Sequence, residues 1–171
     1  MNEKLSTPIG IWLFLTTFCL MFYGLGASFV ESFVNYPTWP LIGVNEFRGY
    51  HRALGPLIIS YMVIPMLLGT ILSLVLVWIR PSQIPLWMVL LAMACQIVIW
   101  ISTATLQLPI QFQLSADGLS IPAIERLIFT NFWFRKVPQI VTSILFIWMM
   151  YLVVRENAGP REAISGENSV S

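Results

Sequence analysis

Charged side chains are scarce in this sequence. Lys, Arg, Asp and Glu together make up 10% of the 171 residues, whereas soluble domains average about 25%. Hydrophobic residues account for 57% and the mean hydropathy is +0.79, so too few polar groups are present to cover a surface in water. The formal net charge of +1 provides no basic patch for nucleic acid. The composition therefore excludes a soluble domain and predicts a protein of the lipid bilayer with no nucleic-acid partner.

Metal-binding and nucleophilic groups are equally sparse. The sequence has one histidine, His51, and two cysteines, Cys19 and Cys95, both inside apolar runs. One histidine excludes bis-histidine haem ligation within the chain, and the cysteines are predicted to be packing residues rather than a disulfide or metal pair. The sequence contains no HExxH motif, nucleophile elbow, phosphate-binding loop or dinucleotide fingerprint. We therefore predict no metal site, and the sequence identifies no cofactor.

Long apolar runs are what the sequence does contain. Four runs reach or approach the roughly 18 residues that a membrane helix needs, at residues 9–30, 53–79, 86–107 and 132–154. An amphipathic helix start at 121–131 precedes the fourth run. We predict an all-α fold, an integral membrane four-helix up-down bundle.

The four runs are predicted to form a single transmembrane domain over residues 1–157. Residues 158–171 are rich in Gly, Ser and charge, which predicts a disordered C-terminal tail. Prolines inside the apolar runs are tolerated in membrane helices where neighbours satisfy the freed carbonyls, so Pro56, Pro65 and Pro138 predict kinks.

The connection after the first run is predicted to be a loop over Glu31–Asn45, because its X-Pro pairs disfavour the helical conformation. Tyr36 and Trp39 in this loop are predicted to lie at the level of the lipid headgroups. Asn45 is predicted to cap the second helix.

Both termini are predicted to lie on the same side of the membrane, because the chain crosses it four times. The basic residues are nearly balanced between the two sides. We expect a bacterial plasma membrane and cytoplasmic termini, since several basic residues of the other side lie within helix ends rather than loops. The alternative that the first run is a signal peptide is disfavoured, because the run exceeds the usual 7–15 residues.

Polar residues gather at Glu31 and in three stretches, and this topology places all of them on one side of the membrane. The stretches are Glu46–Arg52, Gln107–Gln113 and Glu125–Arg135. A charge at the bilayer centre costs about 2.5–3.5 kcal/mol, so such residues usually pair or line a wet cavity. We predict a polar pocket between the helix ends. Its candidate ligand-binding residues are Glu46, Arg48, His51, Arg52, Gln107, Gln111, Glu125, Asn131, Trp133 and Arg135.

Each candidate also has a structural interpretation. The basic residues that fit side chains reaching lipid phosphates are Arg48, Arg52, Arg126 and Lys136. His51 fits an interfacial or capping histidine, and the glutamines fit hydrogen bonds between helices. Thr103, Gln107 and Gln111 recur every four residues and share one face if the helix continues through Pro109. The clustering of the candidates is what favours a functional pocket.

Two stretches resemble a known family. Residues 107–114 (QLPIQFQL) and 127–135 (LIFTNFWFR) are similar to the third-to-fourth helix region of the anthrone oxygenase-like membrane proteins, a largely uncharacterised four-helix family. The family usually has an asparagine near the proline and often a histidine beside the Asn-Arg motif, where this chain has glutamines and phenylalanines. The resemblance covers about a third of the chain and implies a four-helix membrane protein with a polar cluster. Its matching positions are Pro109, Gln111, Leu114, Asn131, Trp133 and Arg135.

Three functions remain open from the sequence. In the leading hypothesis the pocket binds a small lipophilic molecule, such as a quinone, an aromatic compound or a lipid headgroup. In the second, the protein is a cofactor-independent oxygenase or isomerase of an aromatic substrate. His51 would be its general base and Arg48 or Arg135 would stabilise an enolate, which makes His51 and Arg135 the catalytic candidates. In the third, the chain is a structural subunit of a membrane complex or homo-oligomer, and its arginines pair with a partner.

Overall fold

The computed structural model describes residues 8–158, and these form four long helices. No strand occurs in this part of the chain, so the predicted all-α class is confirmed. Each helix is long and apolar enough to cross a membrane, which is compatible with the predicted membrane bundle. Residues 159–171 of the predicted tail lie outside the described residues. The helices are α1 (Pro8–Leu41), α2 (Val44–Ile79), α3 (Leu86–Asp117) and α4 (Ile121–Glu156), and the last segment of α4 continues to Ala158.

Short connections make consecutive helices antiparallel neighbours. Two residues join α1 to α2, residues 80–85 join α2 to α3, and residues 118–120 join α3 to α4. A Cβ added to Gly24 of α1 would lie 2.7 Å from Met66 Cγ, and one added to Gly69 of α2 would lie 2.6 Å from Met21 Cε. Glycines therefore set the close approach of α1 and α2, as small residues commonly do between membrane helices.

The first helix is longer than predicted. The loop prediction for Glu31–Asn45 was wrong, because α1 continues to Leu41 and α2 begins at Val44. The N-cap residue of α2 is Gly43 rather than Asn45. Tyr36 and Trp39 do not lie at the surface: they are 2% and 1% exposed.

Each of the four helices contains a π-helical turn that ends two residues before a proline. The turns are Glu31–Asn35, Ile59–Val63, Thr103–Gln107 and Phe132–Lys136. The prolines that follow them are Pro37, Pro65, Pro109 and Pro138. A proline ring clashes with the carbonyl four residues earlier in a regular α-helix. In all four helices the residue before the proline donates its N–H to the carbonyl five residues back, which widens the helix and accommodates the ring.

This widening explains why the X-Pro pairs did not end the helices. The prediction of kinks is refined in the same way: Pro65 and Pro138 follow π-helical turns, whereas Pro56 lies within ordinary α-helix. Two carbonyls that lie four residues before a proline accept hydrogen bonds from side chains. The Tyr23 hydroxyl donates to Tyr61 O at 2.7 Å, and the Ser102 hydroxyl donates to Phe134 O at 3.1 Å. Such partners are needed where no water is present.

The bundle interior has three layers along its axis. The proximal core, nearest the ends of the described chain, contains Phe14, Leu76, Ile84, Met88, Val89, Ala92, Phe146, Met149 and Val153. The distal core, at the opposite end, contains Tyr36, Trp39, Phe47, Ile110, Leu114, Ala123, Ile124 and Leu127. The four π-helical turns form a middle layer between these two apolar clusters, and most buried polar residues of the described chain belong to that layer or border it.

Candidate ligand-binding cavity

A cavity of about 410 Å³ lies at the level of the π-helical turns, and all four helices line it. The turns themselves contribute Glu31 from α1, Met62 from α2, Gln107 from α3 and Arg135 from α4. The widened turns therefore surround the space and direct polar side chains into it. π-helical turns are frequent at functional sites.

A chain of polar contacts crosses the cavity wall and uses a residue from every helix. His51 of α2 contacts Ser115 Oγ through Nδ1 at 2.9 Å and Gln111 Oε1 through Nε2 at 2.7 Å. The Gln111 amide donates to the Tyr36 hydroxyl at 3.4 Å, and that hydroxyl interacts electrostatically with Arg135. The chain thus runs from α2 through α3 and α1 to α4.

His51 is held on both ring nitrogens. Because a carboxamide oxygen only accepts hydrogen bonds, the contact with Gln111 Oε1 places a proton on Nε2 and leaves Nδ1 to accept from the Ser115 hydroxyl. The ring packs edge-on to Trp39, with centroids 5.0 Å apart, and stacks on Phe47 at 5.6 Å. His51 is 5% exposed, so hydrogen bonds and aromatic packing fix its position.

Arg135 is a buried cation at the α4 end of this series of polar contacts. It is 7% exposed, and its Nε has no hydrogen-bond partner among the described residues. The nearby carboxylate is Glu31, which accepts a hydrogen bond from the Asn35 amide and interacts electrostatically with Arg135 and Lys136. A buried guanidinium without a full set of acceptors is costly, and it therefore points to an acceptor supplied from outside the chain.

Gln107 and Trp39 contribute two further incompletely bonded groups of the cavity, and the one on Trp39 is the ring donor Nε1. The amide nitrogen of Gln107 donates to the Thr130 hydroxyl oxygen at 2.9 Å. Its Oε1 is buried and has no partner among the described residues. Gln107 also confirms the predicted face: α3 continues through Pro109, and Thr103, Gln107 and Gln111 all line the cavity.

Five of the ten predicted ligand-binding residues line this cavity: His51, Arg52, Gln107, Gln111 and Arg135. Arg52 Nε donates to Ser115 O at 3.1 Å. Arg48 is exposed and donates to Asp117 O at 3.3 Å, so these arginines bind the last carbonyls of α3. Glu46 is exposed at the first turn of α2. Neither Glu46 nor Arg48 lines the cavity.

The other three predicted residues, Glu125, Asn131 and Trp133, line a separate cavity of about 390 Å³ between α1 and α4. Lys136 also lines it. The alternative that Lys136 reaches lipid phosphates was wrong: the side chain is 1% exposed, and its Nζ donates to Ser28 Oγ at 2.6 Å and to Gln139 Oε1 at 3.3 Å. Arg135 and Lys136 are consecutive and both buried, yet they line different cavities.

The list of candidates from the sequence omitted every residue that α1 contributes to the main cavity: Glu31, Tyr36 and Trp39. All three belong to the stretch that was predicted to be a loop. The available signal was that each of the four helices contains a proline: Pro37, Pro65, Pro109 and Pro138 each stand two residues after a π-helical turn. Treating Pro37 like the other three, as a proline inside a continuous helix, would have kept α1 helical and placed Glu31 in the middle layer.

Comparisons of the chain with protein-family models, curated proteins and solved structures found no match. The resemblance to the anthrone oxygenase-like proteins therefore stays a prediction. Of its matching positions, Gln111 and Arg135 line the main cavity, Asn131 and Trp133 line the second one, and Leu114 belongs to the distal core.

Proposed function

We propose that this chain is an integral membrane protein that binds a small lipophilic molecule in the main cavity. The observation that carries the proposal is the buried Arg135 guanidinium, whose Nε faces no acceptor from the described chain although the residue lines a space large enough for an organic ligand. Ligand pockets typically combine mostly apolar walls with a few directed polar groups. Here the polar groups are Glu31, Tyr36, His51, Gln107, Gln111 and Arg135.

Part of the cavity wall is apolar and reaches the outer surface of the bundle. Ile59 of α2 and Leu108 and Phe112 of α3 line the cavity and are also exposed on the outside. In a bilayer this surface faces acyl chains, so a ligand would reach the cavity laterally from the lipid between α2 and α3. A ligand with a lipophilic body and a polar head would match the apolar part of the cavity wall and its polar lining residues.

The contacts of His51 support a role in binding rather than as a general base. A general base needs a nitrogen free to take the proton of the substrate, and both nitrogens of His51 contact side chains of α3. The proposal also includes the expected setting, a bacterial plasma membrane with both termini on the cytoplasmic side.

Gly55 offers a direct test, because it lines the cavity and a Cβ placed on it meets no atom within 4 Å. Gly55→Leu should fill the cavity from α2, since the added Cβ meets no atom beyond its chain neighbours. Pro56 follows directly within ordinary α-helix, where a side chain before a proline is disfavoured in the helical region, so thermal unfolding should first show that Gly55→Leu is folded. We expect native mass spectrometry from mild detergent to find a lipophilic adduct on the wild-type protein that Gly55→Leu lacks.

Gly49→Leu is the matched control. Gly49 lies on the same helix, a Cβ there also meets nothing within 4 Å, and the residue does not line the cavity. This variant should keep the adduct. Equal adduct occupancy in Gly55→Leu and wild type would contradict binding in this cavity, as would a wild-type protein that neither carries an adduct nor takes one up from added lipophilic compounds.

A further inference from the structure

Three side-chain atoms of residues that line the cavity are buried without a partner among the described residues: Arg135 Nε, Trp39 Nε1 and Gln107 Oε1. They specify what the head of the ligand must offer. Arg135 Nε and Trp39 Nε1 are donors, so each needs an acceptor, and the need of the charged Arg135 is the more costly to leave unmet. A ligand atom with a lone pair, preferably one carrying partial negative charge, would meet it.

The orientation of the Gln107 amide follows from its partner. The Thr130 hydroxyl has a single proton, and it donates that proton to the backbone, to Arg126 O at 2.8 Å. Thr130 Oγ1 can therefore only accept from Gln107, which fixes the amide nitrogen toward Thr130 and leaves Oε1 as the buried atom without a partner. The unmet group of Gln107 is an acceptor, so it needs a donor.

Gln107 and Arg135 lie on the π-helical turns of α3 and α4, and both line the same cavity. The hydrogen bond from the Ser102 hydroxyl to Phe134 O joins α3 and α4 next to Arg135. The hydrogen bond from the Gln107 amide to Thr130 joins the same two helices at Gln107. Both hydrogen bonds involve buried or partly buried groups, so they restrict the movement of Arg135 and Gln107 relative to each other. A head group bound in this cavity is therefore presented with both a donor and an acceptor.

We propose that the ligand of this cavity is a hydroxylated aromatic compound of the phenol or quinol class, and the inference rests on the proposed function. The hydroxyl oxygen would accept from Arg135 Nε, and its proton would be donated to Gln107 Oε1. A quinone or an ether supplies only acceptors and leaves Gln107 unsatisfied. A carboxylate also lacks a donor and places negative charge against that oxygen. The aromatic ring would lie against Tyr36, Trp39 and Phe112, which line the same cavity.

The test compares 4-octylphenol with its methyl ether, 4-octylanisole, for binding to the full chain in lipid nanodiscs. The ether keeps the ring, the tail and the oxygen acceptor but lacks the proton. We expect the phenol to bind about tenfold more tightly or more, because leaving a buried acceptor unpaired carries a penalty of that order. Gln107→Met should lower the affinity for the phenol to that for the ether and leave the ether unchanged.

Gln96→Met is the control, since Gln96 is likewise a buried glutamine but does not line this cavity. It should keep the preference for the phenol, and thermal unfolding should show that both variants are folded. If both compounds bind equally and Gln107→Met changes neither, the inference about the head group is wrong while the cavity still binds ligands. If neither compound binds and Gly55→Leu also changes no adduct, the proposed function fails as well.

Discussion

The proximal core and the middle layer join the same four helices by different means. In the proximal core the rings of Phe14 and Phe146 stack at 6.0 Å with an interplanar angle of 5°, and Leu76, Met88 and Met149 fill the space around them. In the middle layer the helices are tied by side-chain hydrogen bonds, such as Gln107 to Thr130 and Asn131 to Ser32 at 2.8 Å. One layer is filled by packed apolar side chains, and the other surrounds a cavity.

Under the proposed function, this difference separates stability from binding within one small bundle. Packed apolar side chains stabilise through dispersion contacts and tolerate no gaps. A cavity lined by buried polar groups contributes less and depends on each group having a partner. We infer that the proximal core maintains the arrangement of the helices while the middle layer keeps an incompletely bonded, ligand-ready interior. Variants in the two layers should therefore have different effects on unfolding and on binding.

The largest effect on stability is expected in the proximal core. Phe146→Ala removes a buried ring that stacks on Phe14, and we expect the free energy of unfolding to fall by about 3–5 kcal/mol because a cavity replaces the ring. Thermal and denaturant unfolding in detergent measure this loss. Trp148→Ala, two residues away on the exposed face of α4, should change stability by less than about 1 kcal/mol. A Phe146→Ala protein that stays folded but loses 4-octylphenol binding would break the separation of the two layers.

A smaller loss is expected at the link between the distal core and the middle layer. His51→Ala removes contacts with Ser115 and Gln111 and the packing against Trp39, so we expect a loss of about 2–3 kcal/mol, at roughly 1 kcal/mol per hydrogen bond plus the ring contacts. Binding should weaken too, because Gln111 loses the partner that orients it. The neighbouring Tyr50→Ala, at an exposed position, serves as the control. A His51→Ala protein with the stability and the binding of wild type would show that the contacts of His51 do not orient Gln111 or the cavity.

The broad fold could be predicted from the sequence because its signals are local. Four apolar runs predict four helices, and the spacing of Thr103, Gln107 and Gln111 predicts a shared face that lines the cavity in the structure. The cluster that includes His51 and Arg135 was recognised from its charge in an apolar chain. These inferences need only composition and periodicity.

The remaining features depend on how the helices accommodate proline, which periodicity does not encode. Tyr36 was assigned to a loop because a residue before proline usually leaves the helical region, yet its N–H bonds to Glu31 O and the helix continues. A π-helical turn also shifts the phase of the residues after it. Arg135 and Lys136 lie within such a turn, and these consecutive residues are buried on different cavities.

Pro138 connects these observations to the comparison of the two layers. In Pro138→Ala the clash that favours the π-helical turn Phe132–Lys136 is absent, so we expect the turn to relax toward α-helix. Losing the extra residue of the turn rotates the preceding part of α4 by about 100° relative to the part that follows, and Arg135 turns with it. We therefore expect the affinity for 4-octylphenol to fall about tenfold, the equivalent of one buried hydrogen bond to a charged group.

The preference of a helix for alanine over proline, about 3 kcal/mol, should not appear as a gain in stability in Pro138→Ala. The same rotation would move Ala123, Ile124 and Leu127 out of the distal core, so we expect thermal unfolding to show a net loss. Pro56→Ala is the matched control, since Pro56 lies in α2 without a π-helical turn before it, and its affinity for the phenol should stay within about twofold. Weaker binding by folded Pro138→Ala beside unchanged binding by Pro56→Ala would mean that the proline after the π-helical turn shapes the middle layer. If Pro138→Ala binds as well as wild type, the widened turns are a consequence of the sequence that the cavity does not need.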